Sequence, residues 1–142
     1  MNARKIGYWV TTGLTAAAFT MGGLMDLMKP ADLMAGMAQL GYPSYFVTIL
    51  GAWKVLGALA IVAPKLPRLK EWAYAGMIFD LTGAAFSHAA MHEGANKIVT
   101  PLVLAGLVAA SWALRPEGRM LGSIALVKGG RSPEVISIEA RA

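Results

Sequence analysis

The sequence predicts an all-α protein in which four transmembrane helices form a bundle, with both termini cytoplasmic and a short cytoplasmic C-terminal tail. Of its 142 residues, 56% are hydrophobic and only 15% are charged, whereas a soluble domain is near a quarter charged. Four apolar runs each reach the ~17 residues that a helix needs as a minimum to cross ~30 Å of hydrocarbon. Lys and Arg residues are concentrated in alternate loops, which is typical of a multi-pass membrane protein.

The four predicted spans are residues 6–28, 45–62, 72–91 and 98–114. We assign residues 1–114 to one membrane domain and residues 115–142 to the tail. The first run continues through Met28, which favours an uncleaved span over a signal peptide. All four runs are too long and unbroken for barrel strands, so helices are the expected spanning structure.

The first loop, residues 29–43, carries its own helix signals. Pro30 and Asp32 fit a helix start, and Gly41 and Pro43 fit a stop. Four apolar residues fall on one face: Leu33, Met34, Met37 and Leu40. We predict a short amphipathic helix on the bilayer surface, with an ordinary capped loop as the alternative.

The remaining connections are short, and their charges set the orientation. A basic turn covers residues 64–71, a second turn covers residues 92–97, and Pro101 is expected in the first turn of the fourth span. The N-terminus, the basic turn and the tail hold two, three and five Lys or Arg residues, against one in each other loop. We therefore expect a multi-pass membrane protein whose termini and basic turn are cytoplasmic. In the tail, residues 123–127 and 135–139 are consistent with either a small hairpin or a disordered segment.

Two ionisable residues lie well inside the predicted spans, Lys54 in the second and Asp80 in the third. With a helix rise of ~1.5 Å per residue, their heights differ by only about 5 Å, so consecutive spans can pair them. Gly51, Gly57 and Gly76 lie on the same helix faces, which points both charges into the bundle. Buried charges indicate a functional site by default, and a purely structural ion pair is the alternative.

A second polar group is predicted nearer the outer surface, where Asp26, Ser87 and His88 are expected to line a pocket. A histidine beside a carboxylate is suited to moving protons, whereas the alternative is that these side chains simply reach interfacial water. Trp53 completes the candidate polar pocket of Lys54, Asp80, His88, Asp26 and Ser87. His88 and His92 are four residues apart, and methionines cluster toward the same side, so Cu(I) is an alternative to consider. We nevertheless predict no metal site, because methionines at helical spacing are usually packing residues.

Composition also excludes several classes of function. The chain has no cysteine, which removes disulfides, thiol nucleophiles and iron–sulfur clusters. Its net charge is +5, but the basic residues flank apolar segments. We therefore expect the lipid bilayer, and no nucleic acid, as the partner of those charges.

Three motifs carry a resemblance to a known family. The first is Gly51-Ala-Trp53-Lys54-Val-Leu-Gly57-Ala58, the second runs from Pro64 to Gly76, and the third combines Asp80-Leu-Thr-Gly-Ala84 with Ser87-His88. The sequence resembles the DoxX-like family of small bacterial integral membrane proteins, closely over residues 45–92 and consistently over 6–114.

The resemblance implies a four-helix membrane bundle with cytoplasmic termini, located in the bacterial inner (cytoplasmic) membrane. It also implies that Lys54, Asp80 and His88 are characteristic positions, although the family has no accepted catalytic motif. Some relatives look like subunits of quinone-linked sulfur oxidation or partners of thiol-redox systems. Because this chain lacks cysteine, the resemblance does not extend to direct thiol chemistry.

Three functions remain open at this point, and the sequence does not decide whether the protein is an enzyme. The first is an accessory or subunit of a redox process, with quinone as the candidate cofactor at Lys54 and a membrane or redox protein as partner. The second is a non-enzymatic scaffold in which the Lys54–Asp80 pair is structural. The third and weakest is a proton-coupled transporter, which needs a homo-oligomer because four helices are few for alternating access.

Overall fold

Four long helices and one short helix make up the computed structural model, which describes residues 2–121. In chain order the helices are α1 (Ala3–Met28), α2 (Ala31–Gln39), α3 (Ser44–Val62), α4 (Pro67–Ala90) and α5 (Ala95–Ala113), followed by a 3₁₀ turn at Glu117–Arg119. The all-α prediction is confirmed, since the described residues contain no strand. The predicted hairpin at residues 123–139 lies outside the described residues.

Local signals explain where the helices begin and end. Lys29 stops α1 by adopting a left-handed conformation, φ 50°, and its N–H donates to the Met25 carbonyl. Pro67 opens α4 at the first helical position, where its missing N–H costs nothing. The predicted basic turn is therefore shorter than expected, because α4 begins at Pro67 instead of Trp72.

The start of α5 corrects one detail of the sequence analysis. We expected Pro101 in the first turn of the fourth span, but α5 begins at Ala95, which puts this proline in the second turn. There its missing N–H leaves the Lys97 carbonyl without its usual helical partner.

The long helices form a ring in the order α1, α3, α4, α5, with α5 packing back against α1. The closest approach is between α1 and α3, where glycines meet. A Cβ atom placed on Gly23 would lie 2.8 Å from the Gly51 carbonyl oxygen. Small residues at a helix crossing allow this contact between backbones.

One end of the bundle collects the start of α1, the end of α3, the start of α4 and the end of α5. Arg4 donates to the Arg115 carbonyl, Arg119 to the Val62 carbonyl, and Lys70 to the Ala60 carbonyl. We call this the basic end, defined by the following residues: Arg4, Lys5, Lys65, Arg68, Lys70, Arg115 and Arg119. The opposite end, which carries α2 and the turn between α4 and α5, is called the α2 end.

Large apolar side chains lie on the surface of the bundle as well as in its core. Several of the largest apolar side chains are exposed, including Trp72 (77%), Phe79 (75%) and Phe86 (75%), whereas Thr12 and Lys70 are fully buried. Soluble monomers rarely expose so much contiguous apolar surface. Two helices, α3 and α5, are long and apolar enough to cross a membrane; α1 and α4 are at least as long but carry Asp26 and Asp80.

Candidate functional site

Lys54 lies between two carboxylates contributed by two other helices. Its Nζ donates to Asp26 Oδ2 at 2.8 Å and lies 3.9 Å from Asp80 Oδ2. The structure thus brings together the two charges that the sequence paired, but adds Asp26 as the closer partner. The group, which we call the Lys54 cluster, joins α1, α3 and α4.

The contact between α1 and α3 explains why Asp26 reaches Lys54. A Cβ atom on Gly51 would lie 2.9 Å from the Asp26 Cβ, so only a glycine at position 51 lets this part of α1 come so close. Lys54 follows Gly51 by three residues and therefore sits on nearly the same face of α3. The glycine contact consequently positions the Asp26 carboxylate beside the Lys54 ammonium group.

The Lys54 cluster has hydrogen-bond donors and acceptors that are not used within the described residues. An ammonium group has three N–H donors, but within the described part of the chain Lys54 makes one hydrogen bond, to Asp26. Asp80 receives none there, and its side chain is 18% exposed. The cluster can therefore both donate to and accept from a ligand atom.

A large apolar cavity opens at the Lys54 cluster. It measures about 680 Å³ and lies mainly between α3 and α4. Lys54 and Asp80 are its charged lining residues, and the other lining residues include Phe19, Trp53, Leu56, Trp72 and Met77. Trp53, which the sequence placed among the candidate site residues, is 68% exposed and lines this cavity.

A second, polar cavity lies on the other side of the same cluster, beneath α2. It measures about 410 Å³, and it shares Leu50, Lys54 and Asp80 with the apolar cavity. Asp26, Ser87 and His88 also line it. All the polar site residues that the sequence singled out therefore border one space.

The partner of His88 differs from the sequence-based expectation. We expected a carboxylate from Asp26 beside this histidine, but Asp26 is engaged by Lys54, and His88 Nδ1 instead contacts Glu93 Oε2. Glu93 also accepts from Lys97 Nζ at 2.6 Å. The hydrogen bonds from Lys97 and His88 hold the pKa of Glu93 below its usual value.

Ser87 is tied to the loop that follows α2. Its hydroxyl lies 2.7 Å from the Tyr42 hydroxyl, and the Tyr42 ring stacks on Phe46 at 4.8 Å. Gly41 has φ 84°, a backbone conformation that residues with a side chain rarely adopt. This turn places Tyr42 over the polar cavity, a role that the sequence analysis did not anticipate.

Sequence reasoning also missed a polar network at the basic end. Lys70 is fully buried and donates to the carbonyls of Ala60 (2.8 Å), Ile61 (2.9 Å) and Ala63, which close the C-terminal turn of α3. Burial, together with the Arg119 and Arg115 guanidinium groups, lowers the pKa of Lys70 to about 8. Its spacing from Tyr74 and Met77 is that of one helix face, and this was the available signal.

Within residues 2–121 there is no group of three or more His, Asp or Glu side chains suited to a metal ion. The fold and the site define a helical bundle with large apolar side chains on its surface and a charged cluster between an apolar and a polar cavity. The model of the DoxX-like family matches residues 10–111. The chain belongs to this family of membrane proteins. Searches of curated proteins and of solved structures gave no significant match.

Proposed function

We propose that this DoxX-like protein is an accessory or subunit of a redox process in the bacterial inner membrane, where it binds a quinone in the apolar cavity. The observation that carries this proposal is the position of Lys54 at the polar margin of a cavity of about 680 Å³. A quinone combines a ring bearing oxygen atoms with a long apolar tail. Lys54 would donate to a ring oxygen, Asp80 would accept from a ring hydroxyl, and the tail would follow the apolar wall.

The proposed topology has four spans at residues 6–28, 45–62, 72–91 and 98–114, which correspond to α1, α3, α4 and α5, with both termini cytoplasmic. Its support is the gathering of the basic residues at one end of the bundle, since cytoplasmic loops are enriched in Lys and Arg. The exposed apolar side chains would then face lipid. Residues 1–114 would form the membrane domain, and the tail from 115 would begin at the basic end, where Arg115 and Arg119 contact the bundle.

The test is quinone binding by the Lys54→Met variant in detergent micelles or nanodiscs. Trp53 lines the cavity, so quenching of tryptophan fluorescence reports binding. We expect at least a tenfold loss of affinity, since each hydrogen bond to a charged donor contributes ~1.5–3 kcal/mol. Lys29→Met is the matched control, because Lys29 lies outside the cavity and contacts Ser44. Unchanged binding by a folded Lys54→Met protein would refute the ligand role.

A scaffold role is the second candidate, and the bridging geometry of Lys54 favours it. One ammonium group contacts carboxylates from α1 and α4, which would hold three helices together without any ligand. In that case the protein would dock a partner membrane or redox protein. A triple variant, Asp26→Leu with Lys54→Met and Asp80→Leu, should then fold and support the redox process normally. Loss of that process in a folded triple variant favours the quinone site.

A further inference from the structure

The two cavities that meet at the Lys54 cluster differ in the number of titratable groups that line them. Beyond the residues that they share, the apolar cavity is bordered by aliphatic and aromatic side chains. The polar cavity is bordered by apolar side chains from α2, α3 and α4 and, in addition, by titratable groups from all five helices, the loop after α2 and the α4–α5 turn, namely Asp26, Asp32, Tyr42, Lys54, Asp80, His88, Glu93 and Lys97. Carboxylates outnumber ammonium groups in this set, so the cavity attracts cations and protons.

The polar cavity extends along α4 from the cluster to the α2 end. His88 follows Asp80 by eight residues, which corresponds to ~12 Å of helix. Gly83, Ala84 and Ser87 border the cavity between these two points. A continuous lining therefore connects the Lys54 cluster with Glu93, which lies in the turn between α4 and α5.

No comparable polar lining leads from the basic end to Lys54 within residues 2–121. The buried polar network there includes Thr12, Ser111 and Tyr74, joined by hydrogen bonds of 2.7 and 2.8 Å. On the buried face of α1, Phe19 separates this network from Asp26. Phe19 belongs to the apolar core with Met77 and the other buried residues of that cluster. The apolar cavity does reach Ala63 and Leu66 at the basic end, but among the residues that the structure describes its walls between there and Lys54 carry no polar side chain.

We propose that the polar cavity is a one-sided access route, through which water and protons reach the Lys54 cluster from the α2 end only. The role of this route rests on the proposed function, because a quinone bound at Lys54 would exchange its protons through it. His88 and Glu93 lie at the outer part of the route and relay protons between Asp80 and solution. The apolar cavity, in contrast, is the entry from lipid.

Cysteine labelling tests the route, because the natural chain has no cysteine and a single one gives a clean signal. Gly83 borders the polar cavity and Gly76 borders the apolar one, on either side of Asp80 in α4. A Cβ atom at either glycine meets nothing within 4 Å, so Gly83→Cys and Gly76→Cys are matched variants. The probe is a cationic, membrane-impermeant methanethiosulfonate, applied to membrane vesicles of each orientation.

We expect Gly83→Cys to react from the α2 end at least ~10-fold faster than Gly76→Cys, because the reagent attacks a thiolate and a thiol in hydrocarbon stays protonated. Ala95→Cys and Arg68→Cys identify the two sides of the vesicle, since these residues lie exposed at the α2 end and the basic end. Ala84→Cys repeats the measurement in case Gly83→Cys fails to fold.

Three outcomes would contradict the access route. Gly83→Cys and Ala84→Cys could both fail to react, or Gly83→Cys could react equally fast from both sides of the membrane. The third outcome is a Gly76→Cys that reacts with this probe as fast as Gly83→Cys. The labelling needs no quinone. If Gly83→Cys reacts as expected but the natural protein binds no quinone, the access route stands and the proposed ligand fails. If quinone binds through Lys54 but Gly83→Cys is unreactive, the ligand site stands and the route fails.

Discussion

Gly23 and Gly51 face each other across the α1–α3 interface, and a Cβ atom on either would lie 2.8 Å from the carbonyl oxygen of the other. Real Cβ atoms do not approach an oxygen so closely, so a larger residue must push the helices apart. The same contact brings Asp26 beside Lys54. Helix packing and the charged cluster are therefore coupled through two residues that have no side chain.

Gly51→Ala should destabilise the protein and weaken the Asp26–Lys54 hydrogen bond. Overpacking of a close interface costs ~1–3 kcal/mol, to be measured as the free energy of unfolding in detergent micelles. Gly22→Ala is the control, because a Cβ atom at Gly22 meets nothing within 4 Å and alanine favours a helix by ~0.5–1 kcal/mol. Equal effects of the two substitutions would contradict the close contact.

Asp26→Asn should lower the free energy of unfolding more than Asp80→Asn. The Asp26 carboxylate is nearer to Lys54 Nζ, at 2.8 Å against 3.9 Å, and its side chain is less exposed, at 9% against 18%. Removing one partner of a buried pair costs up to ~3–5 kcal/mol; with Asp80 still present we expect ~2 kcal/mol for Asp26→Asn and ~1 kcal/mol for Asp80→Asn. The reverse order would make Asp80 the main partner of Lys54.

Lys70→Met should destabilise the basic end by ~3 kcal/mol, because carbonyl groups at the end of α3 lose their buried donor. Methionine keeps most of the apolar stem of lysine, so packing changes little. Arg68→Met, at an exposed position two residues earlier, should change the free energy of unfolding by less than ~0.5 kcal/mol. Thermal unfolding in the same detergent compares the two variants, and similar losses would show that Lys70 does not cap α3.

The Glu71 carboxylate should make the free energy of unfolding depend on pH in the acidic range. Burial raises the pKa of Glu71, but hydrogen bonds from Trp112 and Arg115 outweigh it and hold that pKa below 4.5. A carboxyl group with a lowered pKa in the folded state contributes stability above its unfolded pKa, and this is lost as the pH falls through the folded pKa. The natural protein should thus lose stability below about pH 4.5 in part through this group.

Glu71→Gln tests that contribution. The variant should be less stable at pH 7, by ~2 kcal/mol, because the Arg115 guanidinium, 3% exposed and 2.7 Å from Glu71, loses its carboxylate. Its loss of stability on acidification should also be smaller than that of the natural protein. Parallel pH profiles of the two proteins would show that Glu71 is not responsible.

Some of the site was predictable because it depends on local signals. The depth of Lys54 and Asp80 in consecutive helices follows from the helix rise, and this was enough to place them near each other. The helix at 31–39 follows from Pro30, Asp32 and the apolar face. The choice of Asp26 over Asp80 as the closer partner was not predictable, because it depends on the rotation and distance of α1 relative to α3.

The sequence by itself determined the all-α class, the helix segments and the family, because apolar length, periodicity and local motifs are properties of contiguous residues. Only the tertiary structure decided that Asp26 is the closer partner of Lys54, that Lys70 caps α3, and that two cavities share Lys54 and Asp80. Glycines are too common in this chain for the Gly23–Gly51 contact to be recognised from composition. Ion pairing and cavity shape depend on ångström-scale distances between segments far apart in sequence, which no local pattern specifies.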